Sequence, residues 1–115
     1  MINRIVRRRL LVGALGLSVA LTGRPKLIFA GSQTLHDIEI KRFEFNPSIL
    51  EVRPGDQIRW TSRDISPHTA TADDGSWDTG ELIKGQSATV KVAENMSTAY
   101  LCAFHPNMRA QLIVL

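Results

Sequence analysis

Three metal-donor side chains crowd into one short run near the C-terminus, Cys102-Ala103-Phe104-His105-Pro106-Asn107-Met108, and a fourth, His68, stands apart in Ser66-Pro67-His68-Thr69. If the four serve one ion, the chain must bring two separate loops to one point and hold them there. No other feature constrains the fold as strongly. The set is one thiolate, two imidazoles and one thioether. Soft sulfur selects copper(I), imidazole suits both copper oxidation states, and a weak axial thioether marks an electron-transfer copper site. Zinc accepts Cys and His but does not ordinarily take Met. A nucleophilic Cys–His pair needs a third group to orient the base, and none is evident. The step from Cys102 to His105 suits a chelate better.

The rest of the chain offers a scaffold for such a site. After Gly31 the sequence reads as short strands separated by turn signals, which predicts an all-β sandwich. Ile38 and Ile40 alternate with polar neighbours, and Phe43 and Phe45 resume the alternation in shifted phase, which predicts a bulge or bend between them. Asn46-Pro47 and Arg53-Pro54-Gly55-Asp56 are turns around an alternating Leu50 and Val52. Ile58 and Trp60 share one face of the next strand, Ala88, Val90 and Val92 share another, Tyr100-Leu101-Cys102 leads into the ligand run, and Ala110–Leu115 forms the final strand. Residues 69–85 read as loop-rich. His68 then lies in a loop after the Trp60 strand, and Cys102, His105 and Met108 lie in the loop between the last two strands. Two strands packed side by side would bring both loops to one end.

Other conspicuous residues have plainer roles. Phe45 and Trp60 read as core. Trp77, in a polar stretch, covers the sandwich or meets a partner. Met96 reads as packing. His36 reads as an exposed polar residue, with a weak second metal contact as the alternative. Asp73 and Asp74 read as solvated, since calcium needs more oxygen ligands than this loop offers.

The chain has 115 residues, enough for one domain, and carries a formal charge of +3. That charge is unevenly placed. Residues 1–30 hold Arg4, Arg7, Arg8, Arg9, Arg24 and Lys26 and no acid; removing those six from 14 Lys+Arg leaves 8 against 11 Asp+Glu, or −3 for residues 31–115. The basic balance belongs to the first 30 residues and does not point to nucleic acid. Residues 1–30 read as an export signal: a cationic start, an apolar stretch from Leu10 to about Leu21, and a small residue at Ala30 where cleavage is expected. The apolar stretch is short of the roughly 20 residues a spanning helix needs, so stable membrane insertion is not expected. Arg7-Arg8-Arg9-Leu10-Leu11 resembles a twin-arginine signal, although Val6, Leu10 and Val12 depart from its usual pattern. The chain's single cysteine cannot form an internal disulfide. Metal ligation explains how a lone thiol persists in an oxidising compartment.

From about His36 to Leu115 the chain resembles the cupredoxins, the small blue-copper proteins. The ligand-run spacing is most similar to that of the amicyanins; plastocyanins and pseudoazurins place the second His and the Met further apart. The resemblance implies a cupredoxin-like Greek-key β-sandwich over residues 31–115. It implies His68, Cys102 and His105 as equatorial ligands of one type 1 copper ion, with Met108 as the axial ligand. It further implies a periplasmic electron carrier cycling Cu(II)/Cu(I), a monomer that meets redox partners such as a dehydrogenase or a cytochrome only briefly. His105 would be the electron port, within an apolar patch that includes Pro106 and Met108. In amicyanin-like loops this His can leave reduced copper when protonated, which implies a potential that rises as pH falls. Two positions depart from the family: Thr69 replaces an Asn, and Ala103 a Ser or Thr. The family's side-chain hydrogen bond between the two ligand loops is therefore expected to be weak or absent. That departure supports one alternative function, copper storage, delivery or resistance, because lost outer contacts weaken metal affinity. Copper oxidases and reductases need further metal sites, and after four ligands only His36 remains, so the chain is expected not to be an enzyme.

Overall fold

The computed structural model describes residues Gln33–Leu115. The expected leader, residues 1–30, lies outside the described residues. Among the described residues, eight strands form two four-stranded sheets. The first contains β1 (Leu35–Lys41), β2 (Glu44–Asn46), β4 (Gln57–Ser62) and β6 (Ser87–Lys91), in the order β2-β1-β4-β6. The second contains β3 (Ile49–Val52), β5 (Thr71–Ala72), β7 (Ala99–Cys102) and β8 (His105–Val114), in the order β3-β8-β7-β5. Each sheet is mixed: β1 runs parallel to β4 and β3 parallel to β8, while the other pairs are antiparallel. No helix among the described residues is long and apolar enough to cross a membrane.

Alternation explains the strands. Side chains two apart share a face of a strand, so one face of each can be wholly apolar. Ile38 and Ile40 of β1, Ile58 and Trp60 of β4, Val52 of β3, Tyr100 of β7 and Leu112 of β8 all point into one core. The register pairs Ile38 with Trp60 and Ile40 with Ser62, so the inward rows of β1 and β4 lie side by side. Across the sandwich, Phe45 meets Tyr100 edge-on at 4.8 Å and the Trp60 indole N–H reaches the Tyr100 hydroxyl at 3.3 Å. Burial pushes the Tyr100 phenol up to about 12, with the Trp60 hydrogen bond opposing it. Trp77 stacks on Trp60 at 5.4 Å, donates to the Ser97 carbonyl, and closes the core from outside as the cover expected of it. Met96 is half-buried against the same core, as packing.

The turns behave as their residues require. Asp56 N–H bonds the Arg53 carbonyl at 3.0 Å, with Pro54 second and Gly55 third at φ +94°, a position suited to glycine. Two expectations sharpen and one needs correcting. The bend at Phe43 is a hairpin turn: Lys41 pairs with Glu44, leaving the two-residue turn Arg42-Phe43 with φ of 56° and 59°. Positive φ at both central residues gives the twist a tight hairpin needs, but neither residue is the Gly or Asn that would have signalled it. The segment 69–85 is loop-rich as expected but holds some order. Residues 70–79 form a short ribbon in which Ala72 N–H bonds the Trp77 carbonyl and Thr79 N–H the Ala70 carbonyl. Lastly, His36 is half-buried rather than exposed, and its Nε2 lies 2.9 Å from the Asp56 carboxylate.

Candidate metal centre

The two strands that feed the ligand loops do not lie side by side in one sheet. β4 delivers its chain to His68 from the first sheet, while β7 and β8 carry Cys102, His105 and Met108 in the second. The centre therefore joins the two halves of the sandwich at one end. His68 is fixed by backbone pairing with Leu82 in both directions, at 3.0 and 2.7 Å. Cys102 ends β7 and pairs directly with His105, which begins β8 after the two-residue turn Ala103-Phe104. His105 and Met108 are thus strand residues rather than loop residues. The ladder jumps from Cys102↔His105 to Leu101↔Arg109, so Pro106, Asn107 and Met108 bulge out of register. The bulge returns Met108 inward, and its side chain is buried in the core cluster.

The donor atoms converge. The Cys102 sulfur lies 3.7 Å from Nδ1 of His68 and 3.7 Å from Nδ1 of His105. The three donors lie within 4.8 Å of one another, with His68 and Cys102 buried and His105 half-buried. A thiol and two imidazoles this close are a donor set that copper fits. The structure thus brings together three of the four residues singled out by spacing and places the fourth, Met108, in the adjoining core. His36, with its own carboxylate partner, does not join them.

Neighbouring groups orient each donor. Asp64 accepts from His68 Nε2 at 2.8 Å. A carboxylate only accepts, so the proton sits on Nε2 and the Nδ1 lone pair is left facing the sulfur. Asp64 also accepts the backbone N–H groups of Arg42 at 2.8 Å and Phe43 at 2.9 Å, both carboxylate oxygens being used. Burial raises the Asp64 carboxyl, but the Phe43 and Arg42 N–H donors and the His68 ring outweigh it and hold it below the usual carboxylate range. One side chain thus ties the left-handed β1–β2 turn to the buried imidazole. The turn in turn presents the Phe43 ring edge-on to both imidazoles, at 5.1 Å from His68 and 4.9 Å from His105. Neither Phe43 nor Asp64 stood out in the sequence. Arg42-Phe43 has no turn signature, and Asp64 sits in the polar run Ser62-Arg63-Asp64 with no spacing to distinguish it. The broken alternation at Phe43 was the available signal.

The expected loss of the inter-loop hydrogen bond is also overturned. Ala103 N–H donates to Thr69 Oγ1 at 2.8 Å, and Thr69 N–H points at the Cys102 sulfur at 3.4 Å. The donor from the cysteine side is backbone, so Ala103 needs no hydroxyl. On the other side a threonine hydroxyl serves where an Asn was expected.

Comparison with known proteins places this geometry. Residues 32–115 match the family model of copper binding proteins of the plastocyanin/azurin family. None of the curated proteins compared is similar enough to count as a match. Among solved structures, a reduced proline-to-phenylalanine variant of amicyanin is 26% identical, covering 70% of this chain and 82% of its own, with a TM-score of 0.62. An oxidized methionine-to-leucine variant of amicyanin is 22% identical, covering 70% and 81%, with a TM-score of 0.65. The copper-containing nitrite reductase of Thermus scotoductus is 19% identical with a TM-score of 0.64, but the match covers only 22% of that chain. With its two-sheet fold and its thiol–imidazole cluster at one end, the chain belongs to the plastocyanin/azurin family of copper binding proteins and is a cupredoxin similar to amicyanin.

Proposed function

We propose that this protein is a periplasmic blue-copper electron carrier, exported by the leader in residues 1–30 and working as the domain of residues 31–115. One observation carries the reading: a buried cysteine sulfur faces two imidazole Nδ1 atoms at equal distance, with hydrogen bonds to Asp64 and from Thr69 holding His68 and Cys102 and the Phe43 ring packed against His105. His68, Cys102 and His105 would hold the copper through their sulfur and imidazole donors, with the Met108 thioether as a further, weaker ligand. Bound copper supplies a one-electron couple between Cu(II) and Cu(I). The protein holds the donors still, so that little must rearrange when charge changes. Asp64 keeps the His68 proton on Nε2, Thr69 N–H takes up part of the sulfur charge, and Phe43 with the core excludes water from one side. His105, half-buried beside exposed Phe104 and Pro106, is the port for electrons. Its partners are redox proteins docked briefly through a small apolar contact, and the carrier acts as a monomer rather than as an enzyme. Copper storage or delivery drew its support from a missing inter-loop bond. With that bond present between Ala103 and Thr69, electron transfer is the better reading.

The test is the visible and EPR spectrum of the purified chain after one equivalent of Cu(II). An intense blue band and a narrow copper hyperfine splitting, both lost in Cys102→Ala, are expected. A pale spectrum with ordinary splitting, or prompt surrender of the metal to a mild chelator, would overturn the carrier in favour of copper handling.

A further inference from the structure

Behind the inter-loop bond stands a chain of hydroxyls. Thr69 Oγ1, which accepts from Ala103 N–H, lies 2.8 Å from Thr71 Oγ1. Thr71 Oγ1 donates in turn to Asp78 Oδ1 at 3.0 Å. A carboxylate only accepts, and each hydroxyl has one proton to give. Thr71 therefore spends its proton on Asp78 and offers Thr69 only its oxygen. Thr69 must donate to Thr71, which leaves its own lone pairs for Ala103. A single direction satisfies every group, running from Ala103 through Thr69 and Thr71 to Asp78.

The far end of this chain is anchored. Asp78 Oδ1 also accepts Gly80 N–H at 2.8 Å, and Asp78 pairs with Thr71 as an isolated backbone bridge. Thr79 ties both ways to Ala70, through its own N–H to the Ala70 carbonyl at 3.0 Å and from Ala70 N–H to its hydroxyl at 2.9 Å. At the near end, Thr69 contacts both the cysteine sulfur and the residue after it.

We propose that Asp78, Thr71 and Thr69 form a one-way hydrogen-bond relay that positions the Cys102-Ala103 segment against the His68 loop, with exposed Asp78 setting its direction. The proposal rests on reading His68, Cys102 and His105 as the copper ligands. Hydrogen bonds in series polarise one another, so the Ala103 bond is stronger than a lone threonine hydroxyl would make it. Thr69, Thr71 and Asp78 are positioning residues, acting through Ala103 and the sulfur's neighbours.

The test is amide hydrogen exchange at Ala103, read by NMR on the metal-free full chain, together with the blue band and potential of the copper-loaded chain. Thr71→Val and Asp78→Ala are expected to speed Ala103 exchange by about fivefold, the worth of one ordinary hydrogen bond, while the Tyr100 and Leu112 amides hold their rates. Thr69→Val is expected to do the same, and Thr69→Ser and Thr71→Ser to restore the original rate. In the loaded protein the first three variants shift the blue band and the potential, and the serine variants do not. Unchanged Ala103 exchange in Thr71→Val and Asp78→Ala would overturn the relay, leaving Thr69 acting alone. Equal acceleration at Ala103, Tyr100 and Leu112 would also overturn it, as general loosening. Because exchange is read without metal, an absent blue band sinks the ligand assignment and leaves the relay standing.

Discussion

Two histidines in this molecule meet an aspartate in the same way, at opposite ends of strand β1. At its start, Asp56 accepts from His36 Nε2 at 2.9 Å and from the backbone N–H groups of Thr34 at 3.1 Å and Arg53 at 3.0 Å. At its finish, Asp64 accepts from His68 Nε2 and from the N–H groups of Arg42 and Phe43. Each carboxylate gathers two backbone donors and one imidazole. Only the second pair belongs to a metal centre. His68 has a thiol on its other ring nitrogen and a second imidazole beyond it, whereas His36 has neither. An Asp–His pair is thus a staple by itself. The donors that the opposite sheet contributes turn one of the two into a copper site.

The largest test of this contrast removes the thiol. Cys102→Ser should abolish the blue copper band while the metal-free protein keeps its cooperative melting transition. That change should leave the His36 end untouched. Next come the two carboxylates. Asp56→Ala and Asp64→Ala each orphan two backbone donors, and each should cost about 1–3 kcal/mol in denaturant unfolding of the metal-free chain. Only Asp64→Ala should also alter the copper spectrum and speed metal loss. Equal spectral change in both variants would break the contrast.

Acid sharpens the picture at the His36 end. The His36 ring, followed by the Arg53 N–H, holds the Asp56 carboxyl below its ordinary value of 3.8 against a burial effect that raises it. A carboxylate depressed in the folded state contributes stability in full above its unfolded value, and that contribution drains away as pH falls through the folded one. The metal-free protein should therefore lose stability below pH 3.8, and Asp56→Asn should flatten that part of the curve, as read by unfolding midpoints at stepped pH. Smaller effects belong to the turn above the site. Phe43→Ala should cost about 0.5–1.5 kcal/mol by removing edge-on contacts to both imidazoles, with a shifted EPR spectrum as its mark. The smallest is Arg42→Gly. It relieves a left-handed residue that costs about 1–2 kcal/mol, offset by the greater freedom of glycine in the unfolded chain, for a net gain under about 1 kcal/mol in the melting curve.

Much of this was legible in the sequence, and the residues show why. Strands β1, β4 and β7 announced themselves because burial on one face imposes a period of two, which Ile38 and Ile40, Ile58 and Trp60, and Tyr100 and Cys102 obey. The turn at Asp56 announced itself because Pro54 and Gly55 suit the dihedral angles it needs. The β1–β2 turn did not, because Arg42 and Phe43 adopt left-handed angles that side chains with a Cβ rarely take. Contacts with Asp64 hold them there, from 21 and 22 residues away. The inter-loop bond is hidden in the sequence for a related reason: Thr in place of Asn and Ala in place of Ser or Thr read as a loss, but the donor is the Ala103 backbone N–H, which no substitution records.

By itself the sequence determined the donor chemistry and the alternation that makes a sandwich, since both are written in residue type and local spacing. It pointed to His68 and His105 as the imidazoles for the sulfur, but the aspartate that holds the His68 proton and the aromatic ring that covers it were decided by the tertiary structure. Those choices rest on contacts between segments more than twenty residues apart: Phe43 lies 25 positions before His68, and Asp64, itself only four before it, is held by the Arg42 and Phe43 N–H groups. They exist only after burial of the apolar faces has stacked the two sheets and brought Asp64, Phe43, Thr69 and Cys102 to one end.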